Sequence, residues 1–183
     1  MVVLVGLSGH AGVGKTTAAK HLSMLAGGRY LYLGQTVLDE VQARGLANTR
    51  DNERRVRIDL RREGGPAALA KPHVDRVSEC LKNGIPVFVD AIFVREEFEV
   101  LASCVPSASS AQLLVIEASF DMRSKRLKDR LERPFNAEEL RERDKTERET
   151  LGTDAIIAMA KYKILNEKTI DEFYRELAEF LSR

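Results

Sequence analysis

The sequence predicts an α/β domain in which a five-stranded parallel sheet lies between two layers of helices, and three observations predict it. Five short apolar runs alternate with stretches of helical periodicity along the whole chain, the pattern of strand, crossover and strand that closes right-handed onto a parallel sheet. The first run, Val2-Val3-Leu4-Val5-Gly6-Leu7, flows into Gly9-His10-Ala11-Gly12-Val13-Gly14-Lys15-Thr16, which fits Gly-x-x-x-x-Gly-Lys-[Ser/Thr]. Finally, 183 residues with 44% hydrophobic content suffice for one well-buried core with a subdomain, not for two full domains.

The loop carries the strongest chemistry. A buried strand delivers the chain to a glycine-rich turn whose amides converge on phosphate oxygens, and the following helix aims its positive dipole end at the same anion. Gly9, His10, Ala11, Gly12, Val13, Gly14, Lys15, Thr16 and Thr17 are therefore the expected donor-nucleotide site. Lys15 is expected at the β- and γ-phosphates, and the Thr16 hydroxyl on a Mg²⁺ that keeps most of its waters. His10, at a free position of the loop, reads as an exposed side chain without a catalytic duty. ATP and Mg²⁺ are the expected ligands.

Each element follows in order. Thr17 to Ala26 reads as a helix with Ala18, Leu22 and Leu25 inward, stopped by Gly27-Gly28. Arg29 to Leu33 reads as the second strand, and Gly34-Gln35-Thr36 turns into a helix ending near Gly45. Asn48, Thr49 and Asp51 offer N-caps for a basic helix from Arg50 to Glu63, with Val56 and Leu60 on one face. Pro66 is expected to start the next helix and Pro72 to break or kink it, with Val74, Val77 and Leu81 buried. Ile85 to Asp90 reads as the third strand. An apolar run ending in Asp suits the carboxylate that orients Mg²⁺ or its waters beside a phosphate loop.

Val94, Phe98 and Leu101 mark another helix, Pro106 to Ser110 a linker, and Gln112 to Glu117 the fourth strand. From Asp121 to Thr150 more than half the residues are charged, which is unlike core. Asp121 to Glu132 reads as a helix interrupted by Pro134, and Asn136 with Glu139 as the capping pair of a second. Such a hairpin suits a lid over phosphates, with Arg123, Arg126, Arg130, Arg133, Arg141, Arg143 and Arg148 as candidates, alongside its reading as an exposed salt-bridged hairpin. Gly152-Thr153 opens a short helix, Tyr162 to Asn166 is the fifth strand, and the Thr169/Glu172 box starts a last helix buried through Ile170, Phe173, Leu177 and Phe180.

Composition excludes some partners. The net charge of +1, from 29 basic and 28 acidic residues, makes no global field for nucleic acid or an anionic membrane. No apolar stretch reaches spanning length, and the N-terminal run reads as a core strand. Cys80 and Cys104 lack metal or disulfide spacing. The expectation is a cytoplasmic protein acting on small molecules; the oligomeric state is not legible.

With these residues in place the chain resembles P-loop nucleotide kinases such as adenylate kinase and dephospho-coenzyme A kinase. It is most similar to the archaeal adenylate-kinase-related, dephospho-coenzyme-A-kinase-like family, on the segments GHAGVGKTT, IDLRREGGPAALAK, EASFDMRSKRLKDR, the Arg143-Asp144 pair and DAIIAMAKYKILNE. The resemblance implies a three-layer P-loop NTPase fold of strand order 2-3-1-4-5 across residues 1–183, an acceptor-binding helical segment at about 35–84 and a lid at about 121–150. It places Asn166 beside the donor base and Arg61 toward the acceptor, which Gln35 can hydrogen-bond and whose anion either Arg57 or Arg61 can grip. Thr16 and Asp90 would serve the metal, and Lys15, Arg126, Arg130 and Arg143 the transferring group. Two departures bear on the acceptor: Gly34-Gln35 stands where relatives carry Gly-Asp, and Asp90-Ala91-Ile92-Phe93 where they carry Asp-Gly-x-Arg. A small nucleotide-like phosphoryl acceptor is expected, with a slow-hydrolysing nucleotide sensor as the alternative.

Overall fold

Alternation of side chains across the sheet decides where the layers form. In the computed structural model, which describes residues 4–107, 110–130 and 134–183, β1 (Leu4–Ser8) is wholly buried. Its Val5 and Leu7 face one core and Leu4 the other, as a period of two requires. β2 (Arg29–Tyr32), β3 (Val87–Asp90), β4 (Ala111–Glu117) and β5 (Tyr162–Leu165) complete a parallel sheet in the order β2-β3-β1-β4-β5. The registers Leu4↔Val87, Leu4↔Ala111 and Tyr32↔Asp90 bring the carboxyl ends of these strands to one edge, where ligands collect in open α/β sheets.

One face is covered by α1 (Lys15–Leu25) and α9 (Ile170–Leu181), through Ala18, Leu22, Phe173, Leu177 and Phe180. The other is covered by α4 (Val74–Lys82), α5 (Arg95–Ala102) and α8 (Thr153–Met159), through Val77, Leu101 and Ile156. Leu25 and Ile170, read as inward, are 47% and 52% exposed. Both lie at helix ends, where the apolar stripe runs past the edge of the sheet.

Between the second and third strands stand α2 (Gln35–Ala43) and α3 (Arg50–Gly64), joined in a separate small core of Val37, Val41, Val56 and Leu69. Thr49 is the N-cap of α3, its side chain accepting from Asn52 N at 3.3 Å. Pro66 does not start a helix: the chain turns through residues 66–70 and forms a 3₁₀ turn at Lys71–His73. Pro72 sits in the first turn of that element, where its missing N–H is harmless, so α4 begins only at Val74.

After β4 come α6 (Phe120–Lys128) and α7 (Ala137–Leu151). The Asn136/Glu139 capping box forms as predicted, with both bonds at 2.8 Å; α6 stops at Lys128, and Glu132, its predicted end, lies outside the described residues. These helices do contain core. Leu127 and Leu140 are fully buried with Ala11, a residue of the glycine-rich loop itself. The charged hairpin is thus rooted on the loop, with Arg123, Asp144 and Glu147 buried at that root and most of its other charges on the outer face.

Ala91, immediately after β3, adopts φ 70°, the one left-handed non-glycine backbone among the described residues. That conformation costs an L-residue about 1 kcal/mol. Ala91→Gly is expected to raise unfolding stability by about that amount, read as a higher denaturant midpoint at unchanged slope.

Candidate functional site

The loop between β1 and α1 sits at the carboxyl edge of the sheet with its left-handed turns supplied by glycine. Gly14 has φ 102°, and a Cβ there would meet Asn166 Nδ2 at 2.6 Å. Glycine lets the loop pass beneath that amide, which donates to Val13 O at 2.9 Å. No side chain caps α1 and no acid lies in its first turn, so its first amides stay available to an anion.

Lys15 lies across the loop, 9% exposed, donating to Gly9 O at 2.6 Å and His10 O at 2.8 Å. Burial lowers its pKa to about 8, against the raising charges of Glu147 and Asp90. Asp90, 1% exposed, accepts on Oδ2 from Thr16 Oγ1 at 2.6 Å and Tyr30 Oη at 3.0 Å. Its other oxygen, Oδ1, is buried with no hydrogen-bond partner. A buried carboxylate oxygen left open beside a threonine hydroxyl fits a hard cation that takes oxygen ligands directly or through its waters. Burial, then the Asp90 charge and hydrogen bond, raise the Tyr30 phenol well above its ordinary value, so Tyr30 stays a donor to Asp90.

The predicted arginines separate into distinct environments. Arg123, on α6, is 5% exposed and holds Asp144 through both carboxylate oxygens, at 3.0 and 2.7 Å, while donating to Ala11 O at 3.1 Å. It is part of the hairpin's root. Asp144→Ala would leave that cation buried without its partner, and a loss of about 3–5 kcal/mol is expected in chemical denaturation. Arg141 stacks over the Phe120 ring and Arg148 faces Asp154. Arg130 is exposed beyond α6 without a partner among the described residues, and Arg133 lies outside them.

Arg126 and Arg143 remain at the loop. Arg126 donates to Asn166 Oδ1 at 3.3 Å, and its Nη1 is buried without a partner; burial lowers its pKa. Arg143 is held at Nε by Glu147, 2.8 Å away. Burial, then the like charges of Arg143 and Arg61, lower the pKa of Arg57, and Arg57 has no ion pair among the described residues. Lys15, Arg57 and Arg143 therefore form a cationic group in which the carboxylate of Glu147 is bound to Arg143 only at Nε. Arg61 is committed elsewhere: its guanidinium pairs at 2.5 Å with Glu97, which is 0% exposed and also caps α5 by accepting from Phe93 N and Val94 N. Gln35 turns to Asp39 at 2.7 Å, lining a polar cavity of about 490 Å³ beside α2.

Several contributors escaped sequence reasoning. His10 is not a free exposed side chain: it is half-buried, with Nδ1 3.8 Å from Glu147 and Nε2 3.7 Å from Asp154. Glu147 lies in a charge-rich helix where nothing in the spacing marks it. Phe135 joins the two flanks of the cleft. The Arg50 guanidinium lies 4.1 Å from the centre of its ring and that of Arg143 5.3 Å. Arg50 also donates to Pro134 O and stands 3.5 Å from Glu139. An isolated aromatic after a proline was the one available signal.

Among known proteins, residues 5–152 match the AAA domain family. A protein of Thermococcus onnurineus (strain NA1), named UPF0200 protein, is 31% identical over 185 residues, covering 100% of this chain and 97% of its own. Among solved structures, the shikimate kinase of Bacteroides thetaiotaomicron superposes with a TM-score of 0.61 at 15% identity, covering 99% of each chain. The gluconokinase of Sinorhizobium meliloti 1021 does so with 0.59 at 15%, covering 98% of this chain and 91% of its own. At such identities the likeness is one of fold, and the fold is that of P-loop kinases. No helix among the described residues is long and apolar enough to cross a membrane.

Proposed function

The chain belongs to the AAA domain family and with the UPF0200 proteins, and from that footing we propose that it is an ATP- and Mg²⁺-dependent phosphotransferase. It moves a γ-phosphoryl group to a small nucleotide or nucleotide-like acceptor. The observation that carries the reading is the pairing of an open buried carboxylate oxygen on Asp90 with three cations, Lys15, Arg57 and Arg143, around one phosphate loop. Binding a triphosphate would need the loop, Lys15 and Asp90; the further cations suit a reaction in which phosphoryl charge redistributes.

In this reading the loop amides and Lys15 fix the β- and γ-phosphates, and Lys15 exchanges its two loop carbonyls for phosphate oxygens. Thr16 and Asp90 would hold Mg²⁺, which would supply neutralisation of phosphate charge. Arg143 and Arg126 cover the transferring group, and Asn166 borders the donor base. Arg57 takes the acceptor's anion, and Gln35 orients it by hydrogen bonding. Catalysis is positioning and electrostatics, because a loose transition state asks for little early proton transfer.

The test is ADP release from ATP and Mg²⁺ with nucleoside monophosphates, nucleosides, dephospho-coenzyme A and a no-acceptor blank. One acceptor is expected to raise the rate by orders of magnitude; rates all equal to the blank, with ATP still bound, would sink the proposal. The commitment of Arg61 to Glu97 and of Gln35 to Asp39 favours a second reading under that outcome, a nucleotide sensor with slow hydrolysis.

A further inference from the structure

Glu147 is out of place for an ordinary helix-surface acid. It lies on α7 with 6% exposure, and its Oε1 accepts from Arg143 Nε in an i,i+4 pair. Such a pair at a surface contributes little, whereas burying a carboxylate is costly. Its backbone carbonyl accepts from the fully buried Thr153 hydroxyl at 3.0 Å, which fixes this end of α7. Its Oε2 is buried, without a hydrogen-bond partner, and 3.8 Å from His10 Nδ1, itself unpartnered. Burial raises its pKa, but the neighbouring His10 imidazole, then the charges of Arg143 and Lys15, outweigh this and bring it down to about 2, although at 3.8 Å the imidazole is too far for a full hydrogen bond.

A metal site is the obvious alternative, since His10, Asp144 and Glu147 offer ligand atoms within 4.8 Å of one another. Both oxygens of Asp144 are occupied by Arg123, however, and Arg143 already stands on Glu147. A further cation there would be surrounded by guanidinium groups.

The Arg143 geometry points elsewhere. With Nε anchored, its two terminal nitrogens make no hydrogen bond among the described residues, and the guanidinium rests against the Phe135 ring. We infer that Glu147 is a positioning residue: it holds the Nε edge of Arg143 and, beside His10, registers α7 on the phosphate loop, so that the free fork of Arg143 is presented to the transferring phosphoryl group. This rests on the phosphotransferase reading, and Glu147 itself touches no reacting atom.

The experiment is a double-mutant cycle of Glu147→Ala and Arg143→Ala, with Glu147→Gln as the conservative variant. Glu147→Ala is expected to lower kcat about a hundredfold, as a misplaced positioning group does, with ATP KM changed less than about threefold. It should cost nothing further in the Arg143→Ala background. Glu147→Gln, which keeps an oxygen for Nε, should recover most of the rate. Equal losses in both backgrounds, or a fall in thermal stability with kcat intact, would overturn the inference. Affinity for ADP with Mg²⁺ and aluminium fluoride separates it from the phosphotransferase reading. If no acceptor supports turnover but Glu147→Ala and Arg143→Ala weaken that complex equally and non-additively, the positioning role stands and only the reading of the reaction fails. If neither affects it, the positioning role fails as well. Stoichiometric Zn²⁺ binding lost in both Glu147→Gln and His10→Ala would replace it with a metal site.

Discussion

On the phosphotransferase reading, Lys15→Ala is expected to lower acceptor-dependent turnover by about a thousandfold or more, because it removes the lysine that lies across the loop and with it a preorganised charge for the transferring phosphate. The same side chain predicts a pH dependence. Its pKa in the free protein is about 8, so it is charged below that pH and neutral above it. A bound triphosphate favours the charged form, so binding above pH 8 must take up a proton. ATP affinity is expected to be level below pH 8 and to fall as pH rises through it, approaching tenfold per unit. Titration calorimetry in two buffers of different ionisation enthalpy reads the proton directly. Affinity independent of pH from 7 to 9.5 would mean that Lys15 does not meet phosphate.

Arg143→Ala is expected to lower kcat by about a thousandfold, the magnitude of a transition-state arginine, while ATP affinity stays within a few-fold. The contrast with Arg123 makes the expectation specific. Both are arginines of the charged hairpin, but Arg123 spends both terminal nitrogens on Asp144 and Ala11, whereas Arg143 is held only at Nε. Substitution of Arg123 should register in denaturation and that of Arg143 in turnover. Two losses of the same kind would overturn this division.

That division could not be read along the chain, since arginines in one charged stretch look alike until their partners are known. What was legible rests on local constraint. The phosphate loop is a backbone geometry that demands glycine at fixed offsets. The capping boxes at Asn136 and Thr169 are closed within four residues, and Asp90 ends an apolar strand. What was hidden depends on distant chain meeting: Tyr30 reaching Asp90 from the neighbouring strand, Glu97 receiving Arg61 across 36 positions, and Leu127 and Leu140 packing on Ala11. The departure at Ala91 was visible as a missing glycine, yet the backbone keeps the left-handed turn without it. There the protein retains the geometry and carries the strain, which is why a sequence difference could be mistaken for a structural one.

The Phe135 ring, which meets Arg143 on its own hairpin and Arg50 on α3, has a kinetic consequence. Phe135 and Arg143 share the α6–α7 hairpin, so α3 and the hairpin part only by breaking the contacts of Arg50 with Phe135, Pro134 and Glu139. On the phosphotransferase reading proposed above, release of spent donor and modified acceptor waits on the parting of that one seam.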